Sequence, residues 1–265
     1  MEEYKDLKDL KYHYIDPTGN ITVLVESEVP FEKHVKVSSD FCKKFPECEQ
    51  VGFVSDGDEC DIRLKMAGGE FCGNATMSTA ALYAKKNNTK IGDKKTVIVK
   101  VFGTEKPVEV SISRQSENTF EGTVLMPDPI GYEERVFSFA GKDHKMALVK
   151  FKGIYQLISE EPFEKETAEA AVIKWCEELK ADALGIMQLD EEKSILTPLV
   201  YVPALKDFYW EHACASGTTA AGYYLYKKYD KPVTVDFKEP GGILNIKVTG
   251  SGALYLTGHV TFTDK

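Results

Sequence analysis

Gly68-Gly69-Glu70-Phe71-Cys72-Gly73-Asn74-Ala75-Thr76 decides how the rest of this chain is read. Before it, Asp61-Ile62-Arg63-Leu64-Lys65-Met66 alternates as a strand does, and the Gly-Gly pair turns the chain. After it, the pattern predicts a helix over residues 74–84. Cys72 therefore arrives at the first turn of a helix, where free backbone N–H groups and the positive end of the helix dipole gather. That setting lowers a thiol from its ordinary pKa of about 8.5, and the thiolate is the reactive form. The arrangement returns later. Glu211-His212-Ala213-Cys214-Ala215-Ser216-Gly217-Thr218-Thr219 leads into a second predicted helix over residues 218–226. Two cysteines in matching settings predict a two-thiol reaction centre.

The segments around the two cysteines follow one order. Ahead of Cys72, strands are predicted at residues 11–15 and 21–25 across the turn Asp16-Pro17-Thr18-Gly19-Asn20, then a helix at 32–45. A hairpin follows, residues 50–54 and 61–66, turning at Ser55-Asp56-Gly57-Asp58. Behind the Cys72 helix come strands at 96–102, 108–113 and 120–126. The run Met126-Pro127-Asp128-Pro129-Ile130-Gly131 marks a domain boundary. Beyond it the order repeats: strands at 145–150 and 153–158, a helix at 164–180, a hairpin of 185–189 and 195–202, then Cys214 and its helix. Strands at 233–237, 243–248 and 253–256 close the set. Each half reads β-β-α-β-β-Cys-α-β-β-β, a duplication and not a solenoid. The predicted lobes are residues 1–127, completed by 258–265, and residues 128–257. Related lobes about a pseudo-two-fold axis would present both thiols to one cleft, a common place for a small molecule.

Composition narrows the function. The 265 residues are 43% hydrophobic and 28% charged, ordinary for a soluble globular protein. A net charge of −9 argues against nucleic acid or an anionic membrane as partner. No run approaches the roughly 20 apolar residues that span a bilayer. Met1-Glu2-Glu3-Tyr4-Lys5 is acidic and polar, unlike a signal peptide, so a cytoplasmic location is expected. The other four cysteines, Cys42, Cys48, Cys60 and Cys176, read as small buried hydrophobes, and no Cys/His spacing suits zinc. No metal and no cofactor are expected.

A thiolate and a thiol flanking one carbon can exchange its proton from face to face, which is racemisation or epimerisation of an amino acid without a cofactor. The difficulty is the carbanion, since an amino-acid Cα–H is a very weak acid. Backbone N–H groups at two helix starts can hold the substrate carboxylate as it gains charge. Gly73-Asn74 and Ser216-Gly217-Thr218 are small enough to let backbone approach a ligand.

Cys72-Gly73-Asn74 together with Cys214-Ala215-Ser216-Gly217-Thr218 resembles the cofactor-independent diaminopimelate epimerase and proline racemase superfamily, over essentially the whole chain. The resemblance implies an α/β (α+β) fold of two similar lobes, each a barrel-like mixed sheet around a central helix. It also implies a homodimer and a substrate contact through Asn20 of the first turn. The positions where diaminopimelate epimerases read the distal amino-acid centre look like Ala183 and Val202-Pro203, and the missing arginine removes a carboxylate clamp. The stronger likeness is to the histidine racemases of staphylopine-type metallophore synthesis. It lies in Glu49-Gln50-Val51-Gly52-Phe53, in Glu70 to Ser78, in Trp210-Glu211 with Cys214, and in Pro240-Gly241-Gly242; His212 and Ala215 depart from it. It implies histidine as substrate, with Glu49 accepting a hydrogen bond from an imidazole N–H. Gln50 and Glu211 join the implied substrate-binding set, and Phe71, Phe208, Tyr209 and Trp210 offer aromatic surface. The alternatives are a racemase or epimerase of another amino acid, such as diaminopimelate, and a non-catalytic small-molecule-binding relative of the fold.

Overall fold

The structure is a computed structural model that describes residues 6–204 and 206–263. The Met1 to Lys5 stretch and the last two residues of the 258–265 segment lie outside the described residues. The chain divides into two compact units, Met1–Leu125 with Thr257–Lys265, and Met126–Leu256.

The first unit begins with the hairpin β1 (Tyr12–Pro17) and β2 (Thr22–Val25), followed by α1 (His34–Lys44), β3 (Gln50–Asp56) and β4 (Ile62–Met66). Next come α2 (Gly73–Lys86), β5 (Lys94–Val101), β6 (Val108–Arg114) and β7 (Thr119–Leu125). The second unit contains β8 (Gly131–Phe139), β9 (Lys142–Phe151), β10 (Ile154–Ser159), α3 (Lys165–Leu179), β11 (Leu184–Asp190) and β12 (Ile195–Val202). It continues with β13 (Asp207–Trp210), α4 (Ala215–Tyr229), β14 (Val233–Glu239) and β15 (Gly242–Val248); the last strand is β16 (Leu254–Thr263).

In the first unit the sheet runs β1-β2-β3-β4-β5-β6-β7-β16 and closes, because β16 also pairs β1, with Tyr14 opposite Thr263. β2 and β3 are parallel with α1 between them in sequence, and β4 and β5 are parallel with α2 between them. The second unit repeats the scheme in the order β15-β14-β12-β11-β10-β9-β8. There β10 and β11 are parallel around α3, and β12 and β14 are parallel around α4.

The two central helices follow from their composition. α2 packs against β1, β2, β4, β5, β6 and β7, and Gly73 to Leu82 are all buried. A helix enclosed on every side needs thin side chains, and Ala75, Ala80, Ala81 and Ala84 provide them. Its buried hydroxyls would be costly if unbonded. Thr76, Ser78 and Thr79 donate to the carbonyls four residues back, at 2.6, 2.9 and 2.8 Å. α4 repeats the device through Thr218 and Thr219, each at 2.7 Å. At Gly222 a Cβ would meet Ile246 Cγ1 at 2.5 Å, so glycine is required for the helix to lie on β15.

The outer helices seal the opposite faces. Val37 and Phe41 of α1 pack with Val23, Val25 and Phe53, and Trp175 of α3 packs with Leu157, Ile186 and Leu199. β2 is therefore buried on both faces, and its run Thr22-Val23-Leu24-Val25 is buried throughout.

The α+β reading with duplicated lobes around central helices holds in the structure. Four features depart from the predicted elements. β8, where no strand is predicted, is an edge strand on β9 with Glu133, Glu134 and Arg135 in mid-strand and Phe137 its one buried residue, so it lacks an alternating pattern. β13 is a short edge strand on β12 whose Phe208 and Tyr209 are exposed. β16 continues to Thr263 because its far end closes the first barrel. The 50–66 hairpin also turns more widely than a tight Asp-Gly turn, since Asp56 pairs Ile62.

Candidate active site

Both cysteines are helix N-caps and not first-turn residues. Cys72 has φ −130° and ψ 118°, Cys214 has φ −111° and ψ 102°, and each helix starts at the next residue. In the place usual for serine or aspartate, each sulfur accepts a backbone N–H three residues on: Ala75 N–H at 3.5 Å from Cys72 Sγ, Gly217 N–H at 3.4 Å from Cys214 Sγ. The thiols are thereby aimed at the positive helix ends, where an anion is favoured.

Around Cys72 the polar partners come from the neighbouring strands. The thiol donates to Gln50 Oε1 at 2.9 Å. Gln50 Nε2 donates to Thr22 Oγ1 at 2.8 Å and to Asn20 Oδ1. Asn20 Nδ2 donates to Glu49 Oε2 at 2.6 Å. The parallel register that sets Thr22 opposite Gln50 brings these groups together. Each amide is oriented by its neighbour, so the carboxylate of Glu49 polarises a chain that ends on the thiol. Asn20, Glu49, Gln50 and Cys72, which the sequence offered separately, thus form one hydrogen-bonded set. Gly73 and Asn74 are buried in the first turn of α2. The turn before β2 is made by Thr18 and Gly19 at φ 58° and 87°, and Gly19 N–H caps back to Asp16.

Around Cys214 the supports differ. The sulfur lies 3.6 Å from Ser216 Oγ, which accepts from Gln156 Nε2 at 2.9 Å. Burial raises the Cys214 thiol well above its ordinary value, and the neighbouring Glu211 adds to the rise. The expectation that a helix start lowers this thiol toward neutrality is therefore corrected: desolvation and an acidic neighbour outweigh the dipole. Thr218 is fully buried; its N–H donates to Cys214 C=O at 2.8 Å and its hydroxyl faces that carbonyl and Glu239. It supports the cap from inside.

Sequence reasoning missed Glu239. Its Oε2 accepts from Cys214 N–H at 2.7 Å, and burial pushes its carboxyl up to about 8. The signal was its parity: on β14 it points the same way as buried Phe237. The following Pro240-Gly241-Gly242 turn ties down the same segment, with Gly241 N–H donating to His212 C=O at 2.7 Å. Thr22 and Gln156 were also missed. Of the aromatic residues, Trp210 is committed to packing, its Nε1 donating to Glu169 at 2.8 Å. Cys42 and Cys48 are not both inert. The Cys48 thiol donates to the Gln50 carbonyl at 3.3 Å; its neighbourhood lowers the Cys42 thiol while Cys48 itself is raised.

Among the described residues, no group of three or more His, Cys, Asp or Glu side chains is placed to hold a metal ion. No helix there is long and apolar enough to cross a membrane.

The fold is shared with a class of solved structures described as epimerases and racemases. A solved structure described as a predicted epimerase from Pseudomonas aeruginosa superposes with a TM-score of 0.71 at 13% identity, over 97% of this chain and 98% of that one. One described as a probable proline racemase from Agrobacterium radiobacter, with bound carbonate, gives a TM-score of 0.68 at 10% identity, over 97% and 92%. Within that class the sequence is more specific. The family model "Histidine racemase CntK N-terminal domain" matches residues 9–262. The histidine racemase of Fusobacterium nucleatum subsp. nucleatum is 33% identical over 260 residues, 95% of this chain and 94% of that protein. This chain belongs to the histidine racemase family.

Proposed function

We propose that the protein is an isomerase that interconverts L- and D-histidine by proton transfer at Cα, with Cys72 and Cys214 as the acid–base pair and no pyridoxal phosphate. One thiolate removes the Cα proton, and the other thiol delivers a proton to the opposite face of the same carbon. The Cα–H bond breaks, a new Cα–H bond forms, and the two sulfurs end with exchanged protonation states. The observation that carries the reading is the paired placement: in a chain of the histidine racemase family, both cysteines cap buried central helices in duplicated units. N–H groups in the first turns of α2 and α4 are suited to the substrate carboxylate as the carbanion develops. Glu49, held by Asn20, is the residue assigned to the imidazole. Gln50 holds the Cys72 thiol, and Glu211 and Ser216 flank that of Cys214.

The reading extends to a cytoplasmic homodimer whose partners are small molecules, not nucleic acid or membrane. The six cysteines are free thiols, in keeping with a reducing compartment, and the charge of −9 repels polyanions.

The test is to incubate the protein with single L-amino acids in deuterated water, following Cα-deuterium and the D-isomer. Exchange with histidine, abolished in both Cys72→Ser and Cys214→Ser, is expected. Exchange with diaminopimelate and not histidine contradicts the substrate, and either serine variant retaining near-normal rate contradicts the pair.

A further inference from the structure

Glu239 sits beneath the start of α4 with 7% of its surface exposed. Oε2 accepts from Cys214 N–H at 2.7 Å, and Oε1 pairs closely with Thr218 Oγ1. That hydroxyl already has an acceptor, the Cys214 carbonyl at 2.7 Å. A hydroxyl carries a single proton and cannot donate to both oxygens. The Cys214 carbonyl also accepts from Thr218 N–H at 2.8 Å, and both contacts of the hydroxyl are hydrogen bonds at once only when Glu239 carries the proton on Oε1. The acid then donates to Thr218 Oγ1, Thr218 donates to the Cys214 carbonyl, and Oε2 still accepts from Cys214 N–H.

The surroundings favour the same form. The segment before α4 presents Glu211, the exposed His212 and the Cys214 thiol, and Glu211 disfavours a second negative charge. The first turn of α4 carries no acidic residue. On the hairpin, Lys238 and Lys247 are both exposed. A buried carboxyl with these neighbours is held protonated by desolvation. The Cys72 cap has a counterpart in kind, since its thiol is held by the neutral amide of Gln50.

We propose that Glu239 is a positioning residue for Cys214, held as the neutral acid at the working pH, so that it anchors the backbone of the thiol without setting another carboxylate beside the sulfur. Ionisation of Glu239 and formation of the Cys214 thiolate then oppose one another. The proposal rests on Cys214 acting as a proton-transfer thiol.

Full-length protein is titrated without substrate. The thiolate absorbance of Cys214 is taken as the difference from the matching Cys214→Ser protein, in the wild type and in Glu239→Gln. Glutamine keeps both contacts, its Oε1 accepting from Cys214 N–H and its Nε2 donating to Thr218, and it cannot ionise. The Cys214 midpoint is expected to fall by about one pH unit in Glu239→Gln, about tenfold more thiolate at a given pH below the midpoint. An unchanged midpoint overturns the proposal. The midpoint tests the opposition of the two groups; the infrared spectrum of the wild type tests the neutral form and needs no variant. A carboxylic-acid C=O band present near pH 6.5 and lost across about pH 8 supports the proposal, and its absence overturns it. Neither readout uses turnover. Loss of the racemase reading therefore shows separately, as absent histidine exchange with these titrations intact.

Discussion

Replacing Glu239 with glutamine changes how stability depends on pH. The carboxyl has an ordinary value of 4.5 and is pushed up to about 8 in the folded chain. Between those values the native state keeps a proton that the unfolded chain has released, so stability falls as pH rises and the full penalty is reached above about 8. At about 1.4 kcal/mol per pH unit the accumulated loss has an upper bound of roughly 5 kcal/mol. Relaxation around a buried charge reduces it, and about 2–4 kcal/mol is expected. Glutamine has no proton to hold, so the variant is expected to gain on the wild type steadily from about pH 5 to pH 8. The other ionisable groups are common to both proteins and cancel in the difference. For a chain of this size the gap between the two melting temperatures should widen by about 5–10 °C over that range. Thermal melts of both proteins at four or five pH values read it directly. Parallel melting curves, with a gap independent of pH, refute the reasoning and mean that Glu239 is ionised in the native state.

Three further outcomes follow from the site and its surroundings. Cys42, lowered by its neighbour Cys48, should be alkylated near neutral pH faster than Cys176, which burial raises to about 11; peptide-resolved mass spectrometry after brief iodoacetamide treatment checks the order. Gly217→Ala places a Cβ against Met187 Sδ and 3.2 Å from Cys214 Sγ. Overpacking should cost about 1–3 kcal/mol, partly offset by the better helix propensity of alanine, and kcat should fall more than stability alone explains. Glu49→Gln removes the carboxylate bonded to Asn20 and should raise KM for histidine by about tenfold, the loss expected for a charge-assisted hydrogen bond, with little change in melting temperature. Equal KM in the two proteins would remove Glu49 from substrate recognition.

What the sequence disclosed and what it hid divide along physical lines. The Gly-Gly-x-x-Cys-Gly-Asn stretch and the later Cys-Ala-Ser-Gly-Thr stretch carry a local signal, small residues at a helix start, and it places both cysteines at the starts of helices, though not as their caps. Strands with one or two buried faces were equally legible, as the wholly buried, mostly β-branched run of β2 and the alternation of β15 show. β8 was not, because an edge strand pairs on one side and buries one residue, so charge dominates its pattern. The polar set on Cys72 depends on the register of two parallel strands separated by α1, which no local pattern encodes. Glu239 lies 25 positions from Cys214 and meets it only after α4 and β14 are folded. The ionisation of Cys214 was misjudged for the same reason: the dipole is local, whereas burial belongs to the tertiary structure.

The central claim is proton transfer between two different thiols, and the isotope content of the first product tests it most directly. With L-histidine in deuterated water, a two-thiol enzyme returns protium to the L-isomer and delivers solvent deuterium to the D-isomer. At early times the D-histidine formed should carry deuterium at Cα while the remaining L-histidine stays protiated. Equal deuterium in both isomers from the outset, or D-histidine that retains the original protium, would contradict the account.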